Sequence, residues 1–128
     1  MDQETNPVYQ FVREQIDSVP HLEALLLLWN GRPQPWTVEN LASRLYVSAD
    51  LARKLLLDLE KRQLIQFVPG PPEGYLYESH SAAEDQLIAD VDATYRREVV
   101  RVSTIIHSKP SASLREFARA FRFTREQE

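Results

Sequence analysis

Hydrophobic residues recur at helical spacing in the first part of the chain. The range Pro7 to Ile16 predicts a short helix that packs onto the next part of the chain, since its apolar residues fall on one side. A second helix is predicted from an N-cap at Ser18 to a stop at Gly31, and its surface is apolar almost all the way round. Such a helix is normally central to a core. The apolar positions of the first helix are Val8, Phe11, Val12 and Ile16.

Two more helices come in close succession. Thr37 is placed to cap a short third helix, and Ser48 is placed to cap a fourth that ends near Gln63. Only a few residues separate the two, which predicts a tight turn between them. The inward positions are Leu41, Ala42 and Leu45 on the third helix and Leu51, Ala52, Leu55, Leu56 and Leu59 on the fourth.

The pattern changes to β-like runs and then returns to helix. Residues 64–68 and 75–78 are rich in aromatic and β-branched side chains, and the Pro- and Gly-rich segment 69–74 joins them, which predicts a hairpin. A long helix is predicted from Ala83 to about His107. Beyond Pro110, the capping box at residues 113–116 predicts a last helix.

This order of elements is that of a winged helix-turn-helix domain. The segment Thr37–Asp50 (TVENLASRLYVSAD) closely resembles the winged helix-turn-helix domain of bacterial transcriptional regulators, with Leu-Ala and Leu at inward positions and an aliphatic-Ser pair opening the recognition helix. The segment Leu56–Ile65 (LLDLEKRQLI) is similar to the end of that family's recognition helix, which runs through Leu-Ile into the first wing strand. The resemblance covers about residues 18–79.

The pattern and the resemblance together predict a mainly α (α+β) fold. A winged helix-turn-helix with a short β-hairpin wing is followed by a long C-terminal helix and a short basic amphipathic helix. We expect residues 1–79 to form the winged helix-turn-helix domain with its N-terminal packing helix, and residues 80–128 to form a helical extension used for dimerisation or interaction.

The resemblance implies a DNA-binding regulator that places its recognition helix in the major groove and its wing on the backbone. Arg53 could then make a bidentate contact to guanine, and Lys54 could bind a phosphate or a base edge. The base-facing positions implied by the family are Ala49, Asp50, Arg53, Lys54 and Leu57, and the candidate backbone contacts are Arg44, Lys61 and Arg62.

The distribution of charge predicts that DNA binding through this domain is weak. The net charge is −4; residues 1–95 hold 7 Lys/Arg against 15 Asp/Glu, while residues 96–128 hold 8 against 4. Residues 21–79 hold 6 Lys/Arg against 7 Asp/Glu, whereas a DNA-binding module usually has a basic patch. The hairpin from Leu64 to Glu78 contains no Lys or Arg and includes Glu73. A wing without cations gives little counterion release.

Two recognition-helix residues have alternative interpretations. In the structural interpretation Asp50 interacts favourably with the helix dipole. In the functional interpretation it faces DNA, where it either repels the phosphates or accepts a hydrogen bond from a cytosine amino group. Leu57 faces away from the apolar stripe and suits a protein contact as well as a thymine methyl. We therefore keep a second hypothesis, a winged-helix protein-interaction module that has lost DNA readout.

A third hypothesis is a small-molecule sensor. In that case Trp29, Trp36 and Tyr46 border a pocket, although such aromatic residues more often belong to a core.

The long C-terminal helix has an apolar stripe that fits a heptad pattern, interrupted by Glu98. Its length favours pairing with a second copy, so we expect a homodimer in which two weak half-sites are joined. In the alternative interpretation this helix packs back onto its own chain. The predicted dimer-interface residues are Ile88, Val91, Tyr95, Val99, Val102 and Ile106.

The basic tail has three possible partners. Arg115, Arg119 and Arg122 form a stripe on the last predicted helix beside Leu114, Phe117, Ala118 and Phe121. The stripe could dock on the acidic body, contact DNA or another protein, or associate with a membrane surface.

Catalysis and cofactor binding have no support in the sequence. There is no cysteine, and His21, His80 and His107 lie in separate segments without metal-ligand spacing. The three glycines cannot form a phosphate-binding loop, and nothing resembles a set of nucleophile, base and orienting residue. We expect no enzyme activity, no metal and no cofactor. No targeting segment or membrane span is visible, which suggests a cytoplasmic protein.

Overall fold

The computed structural model describes residues 6–109, which form six helices and one β-hairpin. This is the mainly α winged helix-turn-helix arrangement that the sequence predicts. In chain order the elements are α1 (Pro7–Gln15), α2 (Val19–Gly31), α3 (Val38–Leu45), α4 (Ala49–Lys61), β1 (Ile65–Val68), β2 (Gly74–Tyr77), α5 (Ala82–Arg97) and α6 (Val99–His107).

Hydroxyl side chains begin four of the helices. Ser18, Thr37 and Ser48 accept hydrogen bonds from backbone N–H groups three residues further on, at 3.3, 3.0 and 3.1 Å. The three predicted N-caps are therefore confirmed. Ser81 caps α5 in the same way, at 3.0 Å from the backbone nitrogen of Glu84. Each cap satisfies a donor that the first turn of a helix leaves free.

Helix α2 is the centre of the core, as its nearly continuous apolar surface predicts. It packs against α3, α4 and β2, and Leu22, Leu25 and Leu28 are completely buried. Helix α1 packs instead against α5 and α6. The Lys109 ammonium, just beyond α6, donates to the carbonyl oxygens of Val12, Arg13 and Ile16 at the end of α1. A cation at this position neutralises the negative end of the helix dipole.

The wing is an antiparallel hairpin within one residue of its predicted bounds. Ile65 pairs with Tyr77 and Val68 with Gly74. Tyr75 also exchanges two backbone hydrogen bonds with Trp36, at 2.8 and 2.9 Å. This bridge attaches the wing to the residues that lead into α3.

The prediction of one long helix from Ala83 to His107 is wrong, because the helix breaks at Glu98. There the backbone has φ −132° and ψ 53°, and α6 begins at the next residue. The Glu98 carboxylate accepts from the Tyr9 hydroxyl of α1 and from Arg101, each at 3.1 Å. With the break, both α5 and α6 contact α1.

Most of the predicted dimer interface is consequently not an exposed surface. Four of its six residues are only 1 to 3% exposed and pack within their own chain, as the alternative interpretation of the stripe predicts. In this conformation they are inaccessible to a second copy. Tyr95 is partly buried and donates to Glu23 at 3.2 Å, whereas Val99 is 46% exposed. The enclosed residues are Ile88, Val91, Val102 and Ile106.

The tail stripe of Arg115, Arg119 and Arg122 lies outside the described residues. Its three possible partners remain predictions.

Candidate nucleic-acid interface

Helices α3 and α4 form a helix-turn-helix with a three-residue turn. Tyr46 ends α3 in the left-handed conformation, with φ 59° and ψ 45°, and the Val47 N–H then donates to the Ala42 carbonyl at 3.0 Å. Ser48 starts α4 immediately afterwards. The buried side of α4 packs against α2 and α3 through Ala52, Leu55, Leu56 and Leu59.

The opposite side of α4 is open to solvent. All five predicted base-facing residues are exposed, and Leu57 is 45% exposed. This side borders a shallow groove of about 500 Å³. We call the residues that line it the recognition face: Asp50, Arg53, Lys54, Leu57, Asp58, Glu60 and Lys61.

The recognition face contains as many acidic as basic side chains. Arg53 lies 3.4 Å from Asp50, and Lys54 lies 3.2 Å from Asp58. Such partly exposed pairs on one helix are each worth about 0 to 1 kcal/mol, so a phosphate can compete for the cation. Arg53, Lys54 and Lys61 are thus exposed, but an equal number of acidic side chains on the same face offsets their positive charge.

Of the three predicted backbone contacts, Arg62 is differently engaged. Its guanidinium donates to both carboxylate oxygens of Asp17, at 2.9 and 3.1 Å, and to the Glu14 carbonyl at 3.2 Å. These bonds tie the end of α4 to the α1–α2 turn and give Arg62 a structural role, while its contact with DNA stays a prediction. Lys61 and Arg44 are exposed, as a phosphate contact requires.

The wing offers an aromatic surface without basic side chains. Phe67 is 41% exposed and meets Tyr75 edge-on, with 5.4 Å between ring centroids. At the base of the wing, His80 Nε2 lies 2.8 Å from the Gln63 carbonyl oxygen and 3.4 Å from Glu78. The hydrogen bond to this carbonyl raises the pKa of His80, and neighbouring carboxylates raise it further.

His21 is a buried member of this region that the sequence does not identify. In the sequence each histidine looks isolated, but His21 is 9% exposed and lies 2.8 Å from Asp58 on α4. Its spacing from the cap Ser18 was the only local signal. The link to Asp58 spans 37 positions and arises only when α2 packs on α4.

The pKa of Asp58 reflects these neighbours. Burial would raise it, but hydrogen bonds from His21 and Lys54 outweigh that effect and lower the pKa below its ordinary value. Asp58 is therefore a fixed negative charge at neutral pH, at the edge of the recognition face.

Solved structures of bacterial proteins share this arrangement of helices and wing. MepR of Staphylococcus aureus, described as a transcription regulator of the multidrug efflux pump MepA, superposes with a TM-score of 0.53 at 16% identity, over 94% of this chain and 88% of that one. A MarR family protein from Bacillus stearothermophilus gives 0.51 at 18% identity, over 94% and 84%. RV1404 from Mycobacterium tuberculosis gives 0.53 at 19% identity, over 94% and 78%.

The fold is a winged helix-turn-helix. No protein-family profile and no curated protein sequence matches the chain. The similarity therefore rests on the arrangement of elements, which includes the helices on both sides of the winged-helix core.

Around this winged helix, α3 borders two further grooves that share Arg44 and Tyr46. One, of about 410 Å³, lies against α2 and α5, and the other, of about 570 Å³, is lined in part by Trp36. Trp29 borders neither groove; it packs edge-on against Tyr77, and the Arg32 guanidinium covers its ring. Tyr46, for which the sequence offered a pocket or a core position, borders both grooves and is 94% exposed.

Within residues 6–109, no three His, Asp or Glu side chains are grouped so that they could hold a metal ion. In the same range no helix is long and apolar enough to cross a membrane.

Proposed function

We propose that this protein is a DNA-binding transcriptional regulator of winged-helix type, with α4 as its recognition helix. The observation that carries the proposal is the placement of Arg53 and Lys54, which are exposed on the outer side of a helix whose inner side is fixed in the core. The structural likeness to MepR, which is described as a transcription regulator, supports it.

Each exposed cation has a role that suits its position. Arg53 lies one turn into α4 and is suited to a bidentate contact with guanine. Lys54 is suited to a phosphate or a base edge, and Lys61 and Arg44 to phosphates on either side. Ala49 and Leu57 would contribute apolar contacts, such as with a thymine methyl.

One copy should bind DNA weakly. Four candidate cations predict a slope of log affinity against log salt no steeper than about −3.6, and the acidic neighbours and the acidic wing make it shallower still. A homodimer would compensate by joining two half-sites about 34 Å apart. Because four of the six predicted dimer-interface residues are enclosed, such a dimer would use other surfaces.

The test is fluorescence anisotropy with genomic DNA fragments over a range of salt, on protein whose mass is measured by light scattering. We expect salt-dependent binding, a dimeric mass, and a loss of about 5- to 150-fold in Arg53→Ala at the preferred site. Arg97→Ala is the matched control, because it removes the same charge from an exposed position on α5. No binding at low salt, or equal effects of the two variants, would refute the proposal.

A protein-interaction module is the second candidate. It is favoured by the equal number of cations and anions on the recognition face and by the exposed Leu57. In that case a pull-down would recover one stoichiometric protein partner, lost in Leu57→Asp and kept in Arg53→Ala. Recovery of no such partner, together with salt-dependent DNA binding, would exclude this candidate.

A further inference from the structure

A single carboxylate oxygen links the core to the recognition face. Asp58 Oδ2 lies 2.8 Å from His21 Nε2 on α2 and 3.2 Å from Lys54 Nζ, one turn earlier on α4. The His21 side chain is 11% exposed and that of Asp58 is 23% exposed, whereas Lys54 is 69% exposed. The three side chains thus run from the core to the surface that would meet DNA.

His21 is itself held from its other side. Its Nδ1 lies 2.6 Å from the Ser18 hydroxyl oxygen, which also accepts from the His21 backbone N–H at 3.3 Å. For a neutral imidazole, one proton arrangement satisfies every contact: the Ser18 hydroxyl donates to Nδ1, and Nε2–H donates to Asp58. The imidazole therefore has one orientation, and it fixes the carboxylate.

The other ion pair of the recognition face has no such anchor. Asp50, which pairs with Arg53, is 98% exposed and lies in the first turn of α4, where it can turn into solvent. Asp58 cannot do so without giving up the bond to a buried ring. Lys54 consequently stands beside a fixed counter-charge, while Arg53 stands beside a movable one.

We propose that His21 and Asp58 are positioning residues that restrain Lys54 along α4 and suppress its binding to phosphates of any sequence, which leaves discrimination to Arg53. The proposal rests on the DNA-binding function proposed above. Asp58 remains charged at neutral pH, since the bonds from His21 and Lys54 outweigh burial and lower its pKa. A fixed anion next to a DNA-facing cation reduces the counterion release that drives nonspecific binding.

The first experiment compares Asp58→Asn with wild type on DNA of unrelated sequence. Asparagine keeps the size of the side chain and its oxygen still accepts from His21, but it removes the negative charge beside Lys54. We expect tighter binding and a salt slope steeper by about 0.9, so that affinity falls about 3.5-fold more than that of wild type between roughly 50 and 200 mM salt. Asp90→Asn, which removes an equal charge on exposed α5, should keep the wild-type slope.

The second experiment needs no DNA. Carboxyl ¹³C NMR should show the pKa of Asp58 rising in His21→Leu and staying low in His21→Gln, because only glutamine can donate an N–H to the carboxylate. His21→Leu should also steepen the salt slope, and His21→Gln should restore it. A merely structural role would not produce this rescue.

The outcomes separate the two proposals. If wild type binds DNA but Asp58→Asn keeps its salt slope, or the titration of Asp58 ignores His21, the positioning role is refuted and the DNA-binding function stands. If wild type binds no DNA at low salt, the proposed function fails and the positioning role fails with it, even where the Asp58 titration shows the expected contact.

Discussion

Arg62 and Lys61 are adjacent cations whose replacement by alanine should affect different properties of the protein. The Arg62 guanidinium makes three hydrogen bonds of 2.9 to 3.2 Å, two of them to the Asp17 carboxylate, and the two side chains are 29% and 23% exposed. Lys61 is exposed beside the groove of the recognition face. We therefore expect Arg62→Ala to change stability and Lys61→Ala to change DNA binding.

The expected loss for Arg62→Ala is worked from these contacts. Hydrogen bonds to charged groups contribute about 1.5 to 3 kcal/mol when buried, and exposed ion pairs about 0 to 1 kcal/mol. The partial exposure of this pair puts it between the two, so the free energy of unfolding should fall by about 1 to 2 kcal/mol. For Lys61→Ala the change should stay within about 0.5 kcal/mol.

Urea unfolding followed by far-ultraviolet circular dichroism measures both values. A double-mutant cycle with Asp17→Asn should give a coupling free energy of about 1 kcal/mol, because removing either partner removes the same bonds. Equal stability of Arg62→Ala and Lys61→Ala, combined with a weaker salt dependence of DNA binding in Arg62→Ala, would refute the structural role of Arg62.

Four further changes test other parts of the molecule. Tyr46→Gly should raise the free energy of unfolding by about 0.5 to 1 kcal/mol in thermal unfolding, because φ is 59° and the lost side chain is 94% exposed. Leu25→Ala should lower it by about 2 to 5 kcal/mol, since Leu25 is completely buried; a loss below about 1 kcal/mol would contradict the central place of α2. The pKa of Asp58 is lower in the folded than in the unfolded protein, so its contribution to stability is present above the unfolded pKa and is lost as pH falls through the folded pKa. The urea midpoint of Asp58→Asn should therefore decline less in acid than that of wild type. Burial, and then the Glu23 carboxylate, raise the pKa of Tyr95 to about 12, so its contribution to stability is lost as pH rises from about 10 through 12. The stability of Tyr95→Phe should therefore decline less over this alkaline range.

Features set by near neighbours in the chain could be predicted from the sequence. Ser18, Thr37 and Ser48 cap their helices because the hydroxyl and its N–H partner are three residues apart. The apolar stripe of α4 and its exposed opposite side arise in the same way from helical periodicity. These local signals were enough to predict the helix-turn-helix, the hairpin and the outward placement of Arg53.

Contacts between distant segments account for the rest. The helix breaks at Glu98, whose carboxylate accepts a hydrogen bond from Tyr9, 89 positions away. Helical periodicity depends only on near neighbours in the chain, so it does not predict this contact. Arg62 and Lys61 look alike in sequence, yet only Arg62 reaches Asp17. An amphipathic stripe shows that a face will be buried but not which partner covers it, because burial is non-directional while hydrogen bonds need partners at fixed geometry. Local sequence therefore predicts the winged helix-turn-helix, whereas tertiary packing selects which of its charged side chains stay exposed and which are held by distant partners.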